Sequence, residues 1–210
     1  MKKFGAYNNT LVILLTVFVI LVSVASASAI KNVTRKTLHL KFTKIYEEYS
    51  RALQQVSEDM DGNIGCYYST DGQHDFSNCD RFYKNFVSTM KVKRYCHGNA
   101  LKGECIPQYK EYTRSNKCIG FTREMMNIYD DAFVMPDGSS LVVFNVKKDE
   151  RRPIFALDTN GFTTPNQAGE DMFSITIMRN DYGTYYFHPN ITNCLHVEKG
   201  GIETLNDLYK

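Results

Sequence analysis

The sequence predicts an α+β fold: a long N-terminal helix, apolar in its first half and amphipathic in its second, packed on an antiparallel β-meander head with disulfide-stapled loops. Three observations carry this expectation. Residues 11–30, LVILLTVFVILVSVASASAI, contain no charged side chain. Leu38, Phe42, Ile45, Tyr49, Leu53, Val56 and Met60 then recur at spacings of four and three, which is one apolar stripe on an α-helix. From about residue 132 to residue 188 the pattern changes to period two, interrupted by turn residues, as strands joined by hairpins require.

The apolar run comes first in the chain. A charge-free stretch needs about 20 residues to span a bilayer as a helix, and three roles fit this one. As a secretory signal peptide it has Lys2 and Lys3, an apolar centre and a small-residue cleavage site at Ala27-Ser28-Ala29, which would leave Ile30 as the first residue. As a plain anchor it has the length. However, Lys31, Arg35 and Lys36 behind it outnumber the two lysines before it, which opposes an N-terminus-inside orientation. As a retained helix it continues directly into the amphipathic stripe, with no Gly or Pro at the join after Ile30. Periodicity then predicts one helix from near Asn9 to near Met60.

Beyond it, Asp59-Met60-Asp61-Gly62-Asn63 is a turn cluster that ends the helix. Ser77 or Asn78 stands where a cap would start a short helix through about Met90, with Phe82, Phe86 and Met90 at helical spacing. Residues 91–117 read mostly as loop, and a short helical turn is expected over 122–129. Residues 132–135 and 140–146 flank Pro136-Asp137-Gly138-Ser139, a hairpin signal. Residues 153–157 form a third strand, and 172–178 and 184–188 flank a second hairpin at Asn180-Asp181-Tyr182-Gly183. About four or five antiparallel strands result, whose open face the helix stripe would cover.

The six cysteines, Cys66, Cys79, Cys96, Cys105, Cys118 and Cys194, all follow the apolar run. An even number outside the cytoplasm predicts disulfides, and spacing alone does not choose the pairing. No C-x-x-C occurs, which disfavours a zinc site.

A formal net charge of +2 with both signs interspersed gives no basic stripe for nucleic acid. No G-x-S-x-G, H-E-x-x-H or P-loop pattern appears, and His39, His74, His97, His188 and His196 have no partnered nucleophile in sequence. Asp130-Asp131 and the mixed run 147–152 read as solvated. The chain is therefore expected not to be an enzyme.

One loop stands out chemically. Asp158, Asn160 and Asp171 offer side-chain oxygens of the kind calcium prefers, with Gly161 and Gly169 permitting tight bends. The alternative is that Asp158 and Asn160 close Asx turns, Pro165-Asn166 makes another turn, and Asp171 caps locally.

Two segments resemble the type IV pilin and type II secretion pseudopilin family. Residues 2–5, KKFG, are similar to a short prepilin leader followed by an apolar helix, and Ile30-Lys31-Asn32-Val33 is similar to the family's Ile-Gln-Asn-Tyr segment. In the head, residues 155–173, FALDTNGFTTPNQAGEDMF, are similar to the family's D-x-N-G…P-N-x-x-G-x-D-x-F segment. The resemblance implies a leader over 1–5 cut between Gly5 and Ala6, a transmembrane and assembly helix over 6–30, an amphipathic helix over 31–60 and an α+β head over 61–210. It also implies a single pass through a bacterial inner membrane with the head outside the cytoplasm. Processing would be by a prepilin peptidase, and the partners would be other pilin-like subunits, met through the N-terminal helix. No cofactor is implied beyond calcium in a head loop. The chain departs from the family at Thr10, where Glu is usual, and at Ala27, where a kinking Pro is common. The alternative expectation is a secreted, disulfide-stapled binding protein released after Ala29.

Overall fold

The computed structural model describes residues 4–109, 123–145, 151–167 and 170–189, with helices α1 (Phe4–Asp59), α2 (Cys79–Thr89) and α3 (Arg123–Ile128). The strands are β1 (Tyr67–Ser69), β2 (His74–Asp75), β3 (Arg94–Cys96), β4 (Asp131–Val134), β5 (Ser140–Asn145), β6 (Arg151–Asp158), β7 (Met172–Arg179) and β8 (Tyr185–Pro189). The chain divides into two compact units, 1–39 and 40–210, with the boundary inside α1.

No Gly or Pro interrupts the sequence from Ala6 to Asp61, so nothing in the backbone breaks α1 before its C-terminus. There the Gly62 N–H reaches the Ser57 carbonyl at 2.9 Å and the Asp61 N–H reaches the Glu58 carbonyl at 3.1 Å. Asp61 takes the left-handed conformation at φ 55°. This is a Schellman stop with aspartate in the position glycine usually fills.

In the second unit the α1 stripe is buried as its spacing requires: Phe42, Ile45, Tyr49, Leu53, Val56 and Met60 all enter one core. Leu38 is half-buried. Helix α2 adds Phe82, Tyr83 and Phe86 to the same core. Asn78 occupies its N-cap, but no side-chain hydrogen bond closes it. The facing strand residues alternate. Leu141, Val143, Phe155, Leu157, Phe173, Ile175 and Ile177 join α1 and α2, whereas Val142, Phe144, Ala156 and Met172 point to the opposite face. That second face packs under Cys96, Ala100, Cys105, Ile106, Tyr109 and Met126. Cover on both faces explains why residues 141–144, Leu-Val-Val-Phe, are apolar without a break.

Strands β4 to β8 pair consecutively and antiparallel. The sheet is nevertheless mixed and wider than the period-two pattern predicts. Among the described residues it has eight strands, in the order β2-β1-β7-β6-β5-β4-β3, with β8 also on β7. Strand β1 joins β7 in parallel at Tyr68↔Met178 and Ser69↔Arg179. β3 lies inside the stretch 91–117 that reads as loop. Strands of two or three residues are too short to show an alternation, and that is why β1, β2 and β3 escape the sequence pattern. Two α1 side chains close the free side of β8: the Tyr46 hydroxyl donates to the Phe187 carbonyl at 2.8 Å and Gln54 Nε2 to the Tyr185 carbonyl at 2.9 Å. An exposed edge carbonyl is a template for foreign strands, and these contacts remove two.

Among the described residues two disulfides form, Cys66–Cys79 and Cys96–Cys105. The first ties the exit of α1 to the start of α2. The second fastens β3 to the segment that covers the far face of the sheet. Cys118 and Cys194 lie outside the described residues.

Candidate functional site

Three features hold chemistry or surface beyond ordinary packing. The first is α1 in the unit 1–39. Leu11 to Leu15, Val17 to Val22 and Val24 are all exposed, with Phe18 at 65 % and Leu14 at 63 %. Consecutive positions on a helix are 100° apart, so these side chains surround the axis rather than marking one face. A helix apolar on every side belongs in an apolar setting. Five described hydroxyls along it are already satisfied. Thr16 donates to the Val12 carbonyl, Ser23 to Val19 at 2.8 Å, Ser26 to Val22 at 2.7 Å, and Thr34 and Thr37 to Ile30 and Val33 at 3.0 Å each. Back-bonding to the carbonyl four residues earlier leaves none of these five hydroxyls in need of water. Among the described residues no helix is long and apolar enough to cross a membrane; the unbroken run of described side chains here covers 11–27. Gly5, Ala6 and Thr10 fall in the helix ahead of that run, and Ala29 and Ile30 follow it as exposed residues.

The second feature is the loop from Asp158 to Asp171, between β6 and β7. Both carboxylates are fully buried. Asp158 Oδ1 accepts the backbone N–H of Asn160 at 3.0 Å and of Gly161 at 2.7 Å, while Oδ2 accepts the Tyr109 hydroxyl at 2.6 Å. Asp171 accepts the N–H groups of Asn166 at 2.6 Å and Gln167 at 2.7 Å, and its carbonyl receives Thr159 N–H at 2.9 Å. The two aspartates therefore bracket the loop: Asp158 closes an Asx turn through the Asn160 N–H, and Asp171 caps the earlier amides of Asn166 and Gln167. Calcium takes about six to eight oxygens. Here all four carboxylate oxygens already receive donors, and Asn160 Oδ1 is buried without a hydrogen-bond partner. Gly169 lies outside the described residues. Among the described residues no group of three or more His, Cys, Asp or Glu side chains is placed to hold a metal ion.

Burial pushes the Asp158 carboxyl up to about 7, against the Tyr109, Asn160 and Gly161 hydrogen bonds that favour its charge and with the Asp171 carboxylate that opposes it. The unfolded value is about 3.9, so the folded chain keeps this proton after the unfolded chain has lost it. Stability from this group is complete below about pH 4 and is lost as pH rises to about 7. Asp158→Asn preserves the shape and one acceptor but cannot ionise. Its urea midpoint is expected to vary less between pH 5 and 8 than that of the unaltered chain. An unchanged pH slope in the variant would remove Asp158 as the source.

The third feature is a charged cluster that sequence reasoning missed. Asp131 on β4 and its neighbour Asp130 are both fully buried rather than solvated. Arg151 opens β6 instead of lying in a solvated turn. Asp131 Oδ2 accepts Arg151 Nε at 3.0 Å and Nη2 at 2.8 Å, and Oδ1 accepts the Gly98 N–H at 2.8 Å and faces His97 Nδ1 at 3.0 Å. Arg151 Nη1 also pairs with Asp80 of α2. The Tyr95 hydroxyl lies 2.8 Å from His97 Nδ1, and its ring stacks on Phe133 with centroids 4.8 Å apart. Burial raises the Tyr95 hydroxyl to about 12. Burial also works against the Arg151 charge, and the neighbouring carboxylates outweigh it, holding Arg151 above its usual range. The cluster joins α2, β3, β4 and β6. A signal for it exists: Asp131 is in phase with the core residue Phe133, and Arg151 is in phase with Phe155 and Leu157. Opposite charges at core-phase positions of two strands point to a buried pair.

No family model, curated protein or solved structure matches this chain.

Proposed function

We propose that this chain is a non-enzymatic, pilin-like or pseudopilin-like structural subunit of a type IV pilus or type II secretion system. The observation that carries the reading is the ring of exposed apolar side chains around α1 from Leu11 to Val24. The charge-free sequence extends to Ile30, about the length that a bilayer span requires. In this reading the helix first holds the chain in a bacterial inner membrane, with the head outside the cytoplasm. It then packs among the equivalent helices of other pilin-like subunits. A prepilin peptidase would cut between Gly5 and Ala6 to release the helix for assembly. The stripe from Phe42 to Met60 is buried under the sheet, so the C-terminal part of α1 belongs to the head.

The test is the intact mass and N-terminal sequence of the protein recovered from its native host. A chain beginning at Ala6 with a methylated amine is the expected result. A chain beginning at Ile30 would overturn the reading in favour of a secreted binding protein, because the packing helix would be gone.

A further inference from the structure

Asn160-Gly161 is the only Asn-Gly pair in the chain, and this pair is the dipeptide most prone to spontaneous deamidation. In that reaction the Gly161 nitrogen bonds to Asn160 Cγ and the Cγ–Nδ2 bond breaks. Ammonia leaves with the Gly161 proton, and water then opens the resulting succinimide to aspartate or isoaspartate. The step needs the Gly161 amide to swing freely onto the Asn160 side chain.

We propose that Asp158 is a guard residue that keeps this pair from reacting. Its Oδ1 holds the Gly161 N–H at 2.7 Å and the Asn160 N–H at 3.0 Å, so the attacking nitrogen is already committed to a carboxyl oxygen. The leaving group is held as well, since Asn160 Nδ2 donates to the Thr164 carbonyl at 3.3 Å. The backbone is wedged in place: Gly161 sits at φ 57°, and the Gly138 carbonyl occupies the space a Cβ would need. Asn160 is 8 % exposed, which keeps out the water that would open the succinimide. Glycine is required here by the left-handed turn and the close carbonyl. The fold thus cannot exchange the glycine of the pair and restrains the pair instead. This inference rests on the head alone and stands whether or not the chain assembles as proposed.

The experiment ages the purified full-length chain at neutral pH and follows the amide-to-acid mass change and isoaspartate in the peptide containing residues 160–161. Asp158→Asn keeps an oxygen acceptor for Gly161 and is expected to deamidate as slowly as the unaltered chain. Asp158→Ala removes it and is expected to react about tenfold faster, the equivalent of one lost buried hydrogen bond. Equal rates in all three chains, or an asparagine variant as fast as the alanine one, would overturn the proposal. If Asp158→Ala does not fold, hydrogen exchange of the Gly161 amide in the unaltered chain decides. Slow exchange upholds the restraint, and exchange at the rate of a free amide overturns it.

Discussion

Replacing Val19 and Leu21 together with arginine is expected to move the chain from the membrane fraction to the soluble or aggregated one. Both side chains are well exposed near the middle of the uncharged run, at 62 % and 63 %. Each arginine at the centre of a spanning helix costs about 2.5–3.5 kcal/mol of insertion, so the pair costs about 5–7 kcal/mol. Arginine is a good helix former, so the change tests the surroundings of α1 and not its helicity. Thr34→Arg with Thr37→Arg, placed beyond the run, is the control and should leave partitioning unaltered. Carbonate washing of membranes followed by immunoblotting reads the result. A double-arginine chain that stays with the membrane would mean that the run from Leu11 to Ile30 is not the anchor.

The second large effect is expected at the buried ion pair. Removing one partner of such a pair strands the other and costs about 3–5 kcal/mol. Asp131→Ala leaves the Arg151 guanidinium without the acceptor of its Nε and Nη2 donors, and leaves the Gly98 N–H without a partner. Asp80 cannot replace it, because its side chain is 70 % exposed and such pairs contribute less than about 1 kcal/mol. Adding Arg151→Met to Asp131→Ala should recover part of the loss, since the stranded charge goes with it. Urea unfolding of the full-length chain in detergent, followed by near-ultraviolet dichroism of its tyrosines, measures both. If Asp131→Ala shifts the midpoint no more than Asp80→Ala does, the pair is not a structural tie.

The two results probe different layers of the molecule, and the layers differ in how openly the sequence carries them. The stripe from Phe42 to Met60 was readable because a helix repeats its core positions over many turns, so each residue corroborates the last. The hairpins at residues 136–139 and 180–183 were readable because turn chemistry is local: a few residues decide it. The Asx turn at Asp158 and the local cap at Asp171 belong to the same class. Their donors lie two to five residues away.

What escaped depends on partners far apart in sequence. Strand β1 pairs with β7 across more than 100 residues, at Tyr68↔Met178, and three residues cannot advertise a neighbour. The core phase of Asp131 hints at burial, but only the sheet brings Arg151 between it and Asp80. The third donor to Asp158, the Tyr109 hydroxyl, comes from the segment packed over the far face of the sheet, 49 residues away. The sequence by itself determined where the chain is apolar, where it turns, and which helix face is buried, because these follow from local sterics and periodic burial. The tertiary structure alone decided the sheet order, the mixed pairing, the two observed disulfides and the buried charges. Each of those is a contact between distant segments whose energy exists only once the chain has closed the loop between them.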